Sequence, residues 1–476
     1  MHSIKKTFEN NEGAVIPILL VFGSIFLVLF GGITSLILFE LRAQDKRAAF
    51  DQALYIAEAG INYYQWCLNH GLEDCEIEKE VLDSQANLLG VFSLDIDETQ
   101  SCGQTIQRKV VASGWTNKFP ETKRKISVIY ARPSVARYSY MIDESVWAGD
   151  DRTIRGFYHS NGGIRMDGTN FSLVSSSSPL GEWICTSSFG CGSCPVSHGC
   201  RLESGNCICP AVFTTTNNSN PGLFDYPITP LNFDGFIGDV DDIKDAAVAN
   251  LTYFDPSIDI DSSADGYHVK LKDNGTLEVW IITDLSSVSG YSLEEGWHDD
   301  EFIIEDEYWY QTYPISASCG VFYFEDDLWI EGTLKGRLTI ASANLLTSGA
   351  YTDVVIPGSI DYTTDDGSDV LEVIAERNML ISPISPDSMV LRGIFIAQDG
   401  RFGINHYIDN EKTLLQTFGA VISRGRTGTQ WTAGGEIISG YRTRDDYIDS
   451  NLIYGAPPFT PHLEPDFRVI KWEEIK

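Results

Sequence analysis

Basic side chains are scarce in this sequence of 476 residues. It contains 34 Lys and Arg against 67 Asp and Glu, which gives a formal net charge of −33. The imbalance is concentrated after position 137, where 20 basic residues face 51 acidic ones. A surface of this charge repels phosphate groups, so the composition argues against nucleic acid and against anionic membrane surfaces as partners.

The sequence also lacks the short motifs that accompany many catalytic sites. It contains no nucleophile elbow, no Walker loop, no HExxH zinc motif and no Gly-x-Gly-x-x-Gly following a strand. We therefore predict no catalytic residue and expect a protein that is not an enzyme.

Charged side chains are absent from residues 14–39. As an α-helix, 26 residues extend about 39 Å, which exceeds the hydrocarbon thickness of a bilayer, about 30 Å. The apolar run continues into a charged segment that begins at Glu40, whereas a cleaved secretory signal would end at small residues. The sequence thus predicts a retained transmembrane helix, and membrane lipid as its partner.

Cysteine is missing before position 67, and ten cysteines follow. This distribution indicates an oxidising compartment and places the large C-terminal part outside the cytoplasm. The disulfide candidates are Cys67, Cys75, Cys185, Cys191, Cys194, Cys200, Cys207 and Cys209. Cys102 and Cys319 either pair or leave Cys319 free.

The six cysteines at residues 185–209 admit two interpretations. The Cys191-x2-Cys194 step, with His198 nearby, resembles half of a zinc site. No second step of that spacing follows, so three local disulfides are favoured, and six cysteines allow 15 connectivities.

The N-terminal part reads as one long helix followed by a small sheet. Apolar residues at Leu54, Ala57, Ile61 and Tyr64 follow helical spacing, so a single helix of roughly 50 residues is predicted. Two β-rich runs then flank Pro120, which we place in the turn of an antiparallel hairpin. This α+β unit is expected to span residues 40–135.

The C-terminal part shows a loose repeat of short β-rich runs. Aligning Ala341, Ala375, Ala397 and Ala420 gives spacings of 34, 22 and 23 residues, which suggest rungs of a right-handed parallel β-helix. The predicted fold is therefore mainly β with a long N-terminal α-helix. The solenoid is assigned to residues 136–179 and 319–476, with an inserted Cys-rich subdomain at 180–318. An antiparallel sandwich is the alternative.

Residues 12–64, which end in "QALYIAEAGINYY", resemble the N-termini of type IV pilin-like proteins of the PilX N-terminal family. The resemblance implies a leader at residues 1–13, cut by a prepilin peptidase after Gly13 so that Ala14 becomes the first residue. It also implies that the helix packs closely, on its own sheet or on other pilin-like subunits. The residues implied in that packing are Ala57, Glu58, Ala59 and Gly60.

The chain departs from the major pilins at one position. Ile18 occupies the fifth mature position, where major pilins keep a Glu that neutralises a neighbour's terminal amine. A buried unpaired amine is unfavourable, so the resemblance implies a minor pilin-like or pilus-associated subunit, or an unprocessed anchor. We expect a single-pass protein of the cytoplasmic membrane, or a pilus-tip or cell-surface location, with a role in pilus assembly or adhesion.

Two acidic stretches suggest ligands. Asp259, Asp261, Ser263 and Asp265 alternate before Gly266 as calcium ligands can, although a solvated turn gives the same pattern. Residues 294–310 mix carboxylates with Trp297, Tyr308 and Trp309, which suits surface glycans or simply a solvated strand.

A rival function is a membrane-tethered protein that binds or degrades polysaccharides. It requires a groove of convergent carboxylates accompanied by basic residues. The basic candidates form no obvious set in the sequence: Arg377, Arg392, Arg401, Arg424 and Arg426.

Overall fold

The computed structural model describes residues 15–72, 75–235, 240–347 and 349–475. The chain forms two compact units. The first comprises the chain up to Asp97, Lys109–Ile129 and the end of the chain from Lys471. The second comprises Glu98–Arg108 and Tyr130–Ile470. The predicted leader and its cleavage site, Gly13 and Ala14, lie outside the described residues.

The first unit begins with one continuous helix, α1, at Val15–Asn69. Its first part is apolar and exposed, and an 18-residue window reaches a mean hydropathy of 2.6. Among the described residues, α1 is the one helix long and apolar enough to cross a membrane. From Ala49 onward one face of α1 is buried. The buried residues are Ala49, Ala53, Ile56, Ala57, Gly60, Ile61, Tyr64 and Cys67.

Four strands follow α1: β1 Glu78–Leu82, β2 Leu88–Ser101, β3 Gln104–Thr116 and β4 Phe119–Ala131. They form a sheet in the order β1-β2-β3-β4, and the last strand of the chain joins it beside β4. The turn between β3 and β4 lies at residues 117–118, so the prediction that Pro120 occupies the turn is wrong. Pro120 is exposed near the start of β4, a position at which a missing N–H is tolerated.

The small residues of α1 pack against the sheet of the same unit. A Cβ atom on Gly60 would lie 2.9 Å from the ring of Phe92 on β2. A Cβ atom on Gly114 of β3 would overlap the helix backbone at Ala53 and Ala57. Ala57 and Gly60 are buried, whereas Glu58 and Ala59 are partly exposed.

Gly114→Ala is expected to lower the free energy of unfolding by about 2 kcal/mol, since the added methyl group must push the helix away from the sheet. Chemical denaturation followed by circular dichroism measures the change. Gly428→Ala is the matched control, because nothing lies within 4 Å of its added Cβ. Equal losses in the two variants would contradict close packing at Gly114.

Two short helices, α2 Val240–Asn250 and α3 Ser450–Gly455, accompany the strands that follow β4. These strands are β5 Tyr138–Ile142, β6 Val146–Ala148, β7 Arg152–Ile154, β8 Phe157–Ser160, β9 Ile164–Met166, β10 Thr169–Asn170, β11 Val174–Ser176, β12 Glu182–Ile184, β13 Arg201–Glu203, β14 Asn206–Pro210, β15 Val212–Phe213, β16 Phe224–Asp225, β17 Tyr253–Phe254, β18 Gly266–Leu271, β19 Thr276–Ser292, β20 Gly296–Pro314, β21 Val321–Phe324, β22 Leu328–Leu334, β23 Arg337–Ser342, β24 Val354–Ile356, β25 Ile360–Tyr362, β26 Val370–Ala375, β27 Met379–Ile381, β28 Ser388–Ala397, β29 Phe402–Gly403, β30 Glu411–Ser423, β31 Gln430–Ala433, β32 Glu436–Tyr447 and β33 Arg468–Ile475.

Parallel pairing dominates the second unit, and three columns of strands run through its largest sheet, while β6, β9 and β15 form a separate parallel sheet. The first column runs β17-β21-β23-β26-β28-β30-β5-β8-β11-β16. The second runs β18-β22-β24-β27-β29. The third runs β22-β25-β28-β30-β32-β7-β10. Long strands such as β28 and β30 belong to two columns.

One inward row of the first column forms much of the core. Successive rungs contribute Phe322, Ile340, Val373, Phe395, Val421, Tyr140, Tyr158 and Val174, all buried in one cluster. The opposite face of the same strands is covered by residues of α2 and α3, including Ile243, Ala247 and Leu452. Strands buried on both faces explain the nearly continuous apolar runs in the sequence.

The repeat of four alanines predicts which residues pair between neighbouring strands, and two of its three predicted pairings are wrong. Ala375 does pair with Ala397, but Ala341 pairs with Ile374, and Ala420 pairs with Ile394. Ala341 and Ala420 face the helices, whereas Ala375 and Ala397 face the core. Because side chains alternate across a strand, an odd shift exchanges the two faces.

The predicted insert at residues 180–318 differs from the observed organisation. Within it, β15, β16, β17 and β18 pair in parallel with strands from outside the range. The parts with antiparallel pairing are the three-stranded sheet β12-β14-β13 and the long hairpin β19–β20, whose first strand also pairs antiparallel with β18. Short parallel strands separated by long connections leave little periodicity, so the sequence does not reveal these rungs.

All ten cysteines form disulfides, and none is free. The pairs are Cys67–Cys75, Cys102–Cys319, Cys185–Cys191, Cys194–Cys207 and Cys200–Cys209. In the described ranges, the groups of three or more potential metal ligands within 4.8 Å consist of cysteines from these bonds. The zinc interpretation is therefore excluded by the pairing.

Strand β5 comes earliest in the sequence among the strands of the first column, yet it lies in the interior of that column. It pairs with β30 on one side and with β8 on the other. In the third column β7 meets β32 at the same junction. There Arg152 and Asp446 form a buried ion pair with an Nε–Oδ2 distance of 2.5 Å.

Candidate functional site: an acidic groove

A groove of about 680 Å³ lies in the second unit between the far end of the β19–β20 hairpin and one corner of the strand columns. Nine carboxylates line it together with two guanidinium groups and one imidazole. The charged lining residues are Asp265, Glu294, Glu295, Asp299, Asp300, Glu301, Asp327, Asp353, Asp399, Arg377, Arg401 and His298.

The strand register builds the corner. Asp327, Asp353, Asn378 and Arg401 each immediately precede a strand of the second column, namely β22, β24, β27 and β29. Successive rungs are joined by backbone hydrogen bonds, such as that from Met379 N to Arg401 O at 3.0 Å. Side chains at equivalent positions therefore stack one rung apart and face the same groove.

Two stacked carboxylates of the corner have different surroundings. Asp327 is largely buried, and this burial raises its pKa to about 7 despite a 2.7 Å hydrogen bond from Asp353 N to its Oδ1. The carboxylate of Asp353 instead accepts hydrogen bonds from Arg377 Nε at 2.9 Å and from its terminal nitrogen at 2.5 Å. That bidentate contact raises the pKa of Arg377 above its usual value.

A polar network connects the corner with the hairpin. Arg401 contacts Glu294 at 3.2 Å and donates a hydrogen bond to Asn405 Oδ1. Asn405 Nδ2 donates to Asp300 Oδ2 at 2.8 Å, and the Tyr407 hydroxyl donates to the same oxygen at 2.9 Å. Burial is the main cause that raises the pKa of Tyr407. The network fixes donors and acceptors side by side on the groove wall.

A smaller pocket with an aromatic wall adjoins the groove. Glu294 and Arg401 also line a smaller adjoining pocket, whose wall includes Trp431. The ring of Trp431 lies 5.6 Å from that of Tyr291, which lies 5.6 Å from that of Trp297. Trp297 is 56% exposed. The adjoining pocket thus has one indole wall, and the exposed indole of Trp297 belongs to the same ring cluster without lining the groove.

The five arginines that formed no set in the sequence are mostly brought together. Arg377 and Arg401 line the groove, Arg426 lines the adjoining pocket, and Arg424 Nε lies 3.5 Å from Asp399. Burial lowers the pKa of Arg426 to about 10. Arg392 lies elsewhere and pairs with Asp361 and Asp365.

The first five carboxylates of the acidic stretch 294–310 line the groove, whereas most of the other predicted ligand residues are not gathered there. Trp297 belongs to the aromatic cluster beside the groove, whereas Tyr308 and Trp309 are exposed farther along β20. Asp261 accepts hydrogen bonds from Ser263, and Asp265 lines the groove. Within the described residues, no three carboxylates come within 4.8 Å of one another. Asp259, Asp261 and Asp265 therefore do not converge into a carboxylate cluster, which the calcium interpretation of the stretch with Ser263 would favour over a solvated turn.

The sequence did not single out Asp327, Asp353 or Asn405, whereas Asp300 lies in the acidic stretch 294–310 that it did single out. The corner residues had a detectable signal, since each is the polar residue directly before an apolar strand in "DDLWI", "TDVVI", "RNMLI" and "GRFGI". Asn405 had no such signal, and the contact of Asp300 with Asn405 depends on how β19 and β20 fold over the columns.

Comparisons with known proteins add little. No family model matches the sequence, and no curated protein matches it. Among solved structures, the competence-associated pilin ComZ from Thermus thermophilus is similar over 90% of this chain and 97% of that chain. The identity is 14% and the TM-score is 0.29, a level too low to support a conclusion about fold or function.

Proposed function

We propose that this protein is a single-pass, envelope-anchored, pilin-like protein that presents its acidic β domain outside the cytoplasm and acts without catalysis. The observation that carries the proposal is α1. One uninterrupted helix joins an exposed apolar segment to a segment whose small residues pack on a sheet. Five disulfides are consistent with an oxidising compartment.

We also propose that the second unit is a right-handed parallel β-helix. Three columns of parallel strands support this architecture. Right-handed crossovers are the strong default for parallel strands of one sheet. The sheet β12-β14-β13 with its three disulfides, and the hairpin β19–β20, are additions to its rungs.

The proposed cellular role is that of a minor pilin-like subunit or pilus-associated surface protein in assembly or adhesion. Ile18 at the position of the pilin Glu favours a rare subunit over one that repeats along a filament. Partly exposed Glu58 and Ala59 remain accessible to neighbouring helices.

The anchoring proposal is tested by carbonate extraction and by protease treatment of intact and permeabilised cells. We expect the full chain to stay in the membrane and its β domain to be cut only from the outer side. Digestion from the cytoplasmic side would overturn the topology.

Mass spectrometry of the mature N-terminus distinguishes a processed pilin subunit from an unprocessed membrane anchor. The pilin subunit begins at Ala14, whereas the anchor keeps Met1. Unaltered pili and adhesion after gene deletion would exclude the pilus role.

The second candidate function is a membrane-tethered polysaccharide-active protein. The observation in its favour is the groove, where Asp327 titrates near neutrality beside an ion-paired Asp353. Carboxylates in contrasting environments are typical of general acid–base pairs. Product analysis after incubation with oligosaccharides tests it: cleavage that disappears in Asp327→Asn would establish catalysis and refute the non-enzymatic proposal.

A further inference from the structure

We propose that a small cavity beside Arg132 and His462 binds a single halide ion such as chloride, which serves as the counterion that these two basic side chains lack. The cavity belongs to the second unit and shares no lining residue with the acidic groove. This role goes beyond the proposed function and does not depend on it.

The size of the cavity limits what it can hold. Its volume is about 20 Å³, and it lies between the start of β3 with Arg132 on one side and the segment 453–462, which ends at His462, on the other. Roughly 10–15 Å³ of such volume is enough for one water molecule. The space therefore fits one water or one monoatomic ion, and it excludes sulfate, phosphate and organic anions.

The lining of the cavity is basic although the chain as a whole is acidic. No Asp or Glu lines the cavity, in a protein whose net charge is −33. The Nε of Arg132 and the Nδ1 of His462 are buried without a hydrogen-bond partner. Among the described residues, no carboxylate lies within 4.0 Å of the Arg132 guanidinium, which instead contacts the ring of Phe467. A partly buried cation without a counterion is unfavourable.

The neighbouring charges do not compensate Arg132. Arg108 lies over the same Phe467 ring, 5.0 Å from its centre, and is paired with Glu98 at 2.8 Å. Thr105, which lines the cavity, donates a hydrogen bond to the same carboxylate at 3.2 Å. Glu98 is thus already engaged, and the charge of Arg132 stays unbalanced.

The titration of the two basic groups reflects this excess of positive charge. Burial, and then the charge of Arg108, lower the pKa of Arg132. Burial is also the main cause that lowers the pKa of His462 to about 4, and the charge of Arg132 adds to it. An anion in the cavity would oppose both charge effects, because it stabilises the protonated form of each group.

A halide satisfies these groups better than a water molecule does. It accepts a hydrogen bond from the Nε–H of Arg132, and one from the imidazole of His462 when the proton is on Nδ1. Water can make the same contacts but leaves the charge of the guanidinium uncompensated. Hydrogen bonds between a charged donor and a charged acceptor are also stronger than those between neutral groups.

Thermal unfolding of the full-length protein in detergent micelles tests the site. The midpoint is measured in sodium chloride and in sodium gluconate of equal ionic strength, since gluconate is too large for the cavity. We expect a midpoint about 2 °C higher in chloride, because an ion that binds only the folded state stabilises it. Arg132→Gln should abolish this difference, whereas Arg137→Gln, at an exposed position nearby, should keep it. Equal differences in the parent and both variants would overturn the proposal.

Bromide provides a direct test that requires no variant. Crystals of the full-length protein grown in sodium bromide are expected to show an anomalous scattering peak between Arg132 and His462. A peak without anomalous signal at that position would identify a water molecule and overturn the proposal, as would the absence of any peak. Neither measurement bears on membrane anchoring, which the extraction and protease experiments test separately.

Discussion

Replacement of Cys102 and Cys319 by serine is expected to lower the free energy of unfolding by about 5 kcal/mol. The two cysteines are separated by 217 residues and both belong to the second unit. On the loop-closure account, a bond that closes so long a loop removes more entropy from the unfolded chain than a local bond does. Urea denaturation followed by tryptophan fluorescence measures the loss.

The local pair Cys67–Cys75 provides the matched control. Its separation is eight residues, so the same account predicts a loss of about 2.5 kcal/mol for the double serine variant. A larger loss at Cys67–Cys75 than at Cys102–Cys319 would contradict the loop-length argument. It would show that strain or residual unfolded structure dominates.

Stability is expected to fall as the pH rises from about 5 to 8, and Glu372→Gln should remove much of that fall. Glu372 on β26 is fully buried, and this burial raises its pKa to about 8 although Thr460 donates a hydrogen bond to it at 3.1 Å. The pKa of this carboxyl is 4.5 in the unfolded chain and about 8 in the folded protein. At a pH between these two values the folded protein binds more protons than the unfolded chain. Stability is therefore fully present below 4.5 and is lost as pH approaches 8, by up to roughly 1.4 kcal/mol per pH unit.

Denaturation curves at several pH values test this expectation. Asp327, whose pKa is also raised, contributes in the same direction, so the informative quantity is the difference in slope between the parent and Glu372→Gln. Glu436→Gln, at an exposed position on β32, serves as the control and should keep the parent slope. Identical slopes for all three proteins would contradict a neutral buried carboxyl at position 372.

Features set by local pattern were predictable from the sequence. Apolar spacing at Leu54, Ala57, Ile61 and Tyr64 predicted a helix of about 50 residues, and α1 has 55. The long helix followed by a mainly β region is likewise observed. Cys67 and Cys75, the nearest pair among the four cysteines outside residues 185–209, are bonded to each other. Each of these depends on residues close together in the chain.

Features set by distant pairing were not predictable. Ala341 and Ala420 were aligned out of register because a repeat of small residues does not show which face each occupies. The groove combines a corner that repeats every rung with a hairpin that folds over it. Asp300 meets Asn405 more than a hundred positions away, a contact that no motif encodes. A weak repeat therefore indicated the columns but not the site they create.

The position of β5 inside the strand column bears on how the domain folds during synthesis. Because a chain is made from its N-terminus, β5 and β7 appear early, but their partners β30 and β32 follow almost three hundred residues later. The early rungs thus keep one unpaired edge until nearly the whole domain has been made. Open edges of this kind are prone to pair with other chains, and the contact that covers this edge, which includes the ion pair of Arg152 with Asp446, forms only near the end of synthesis.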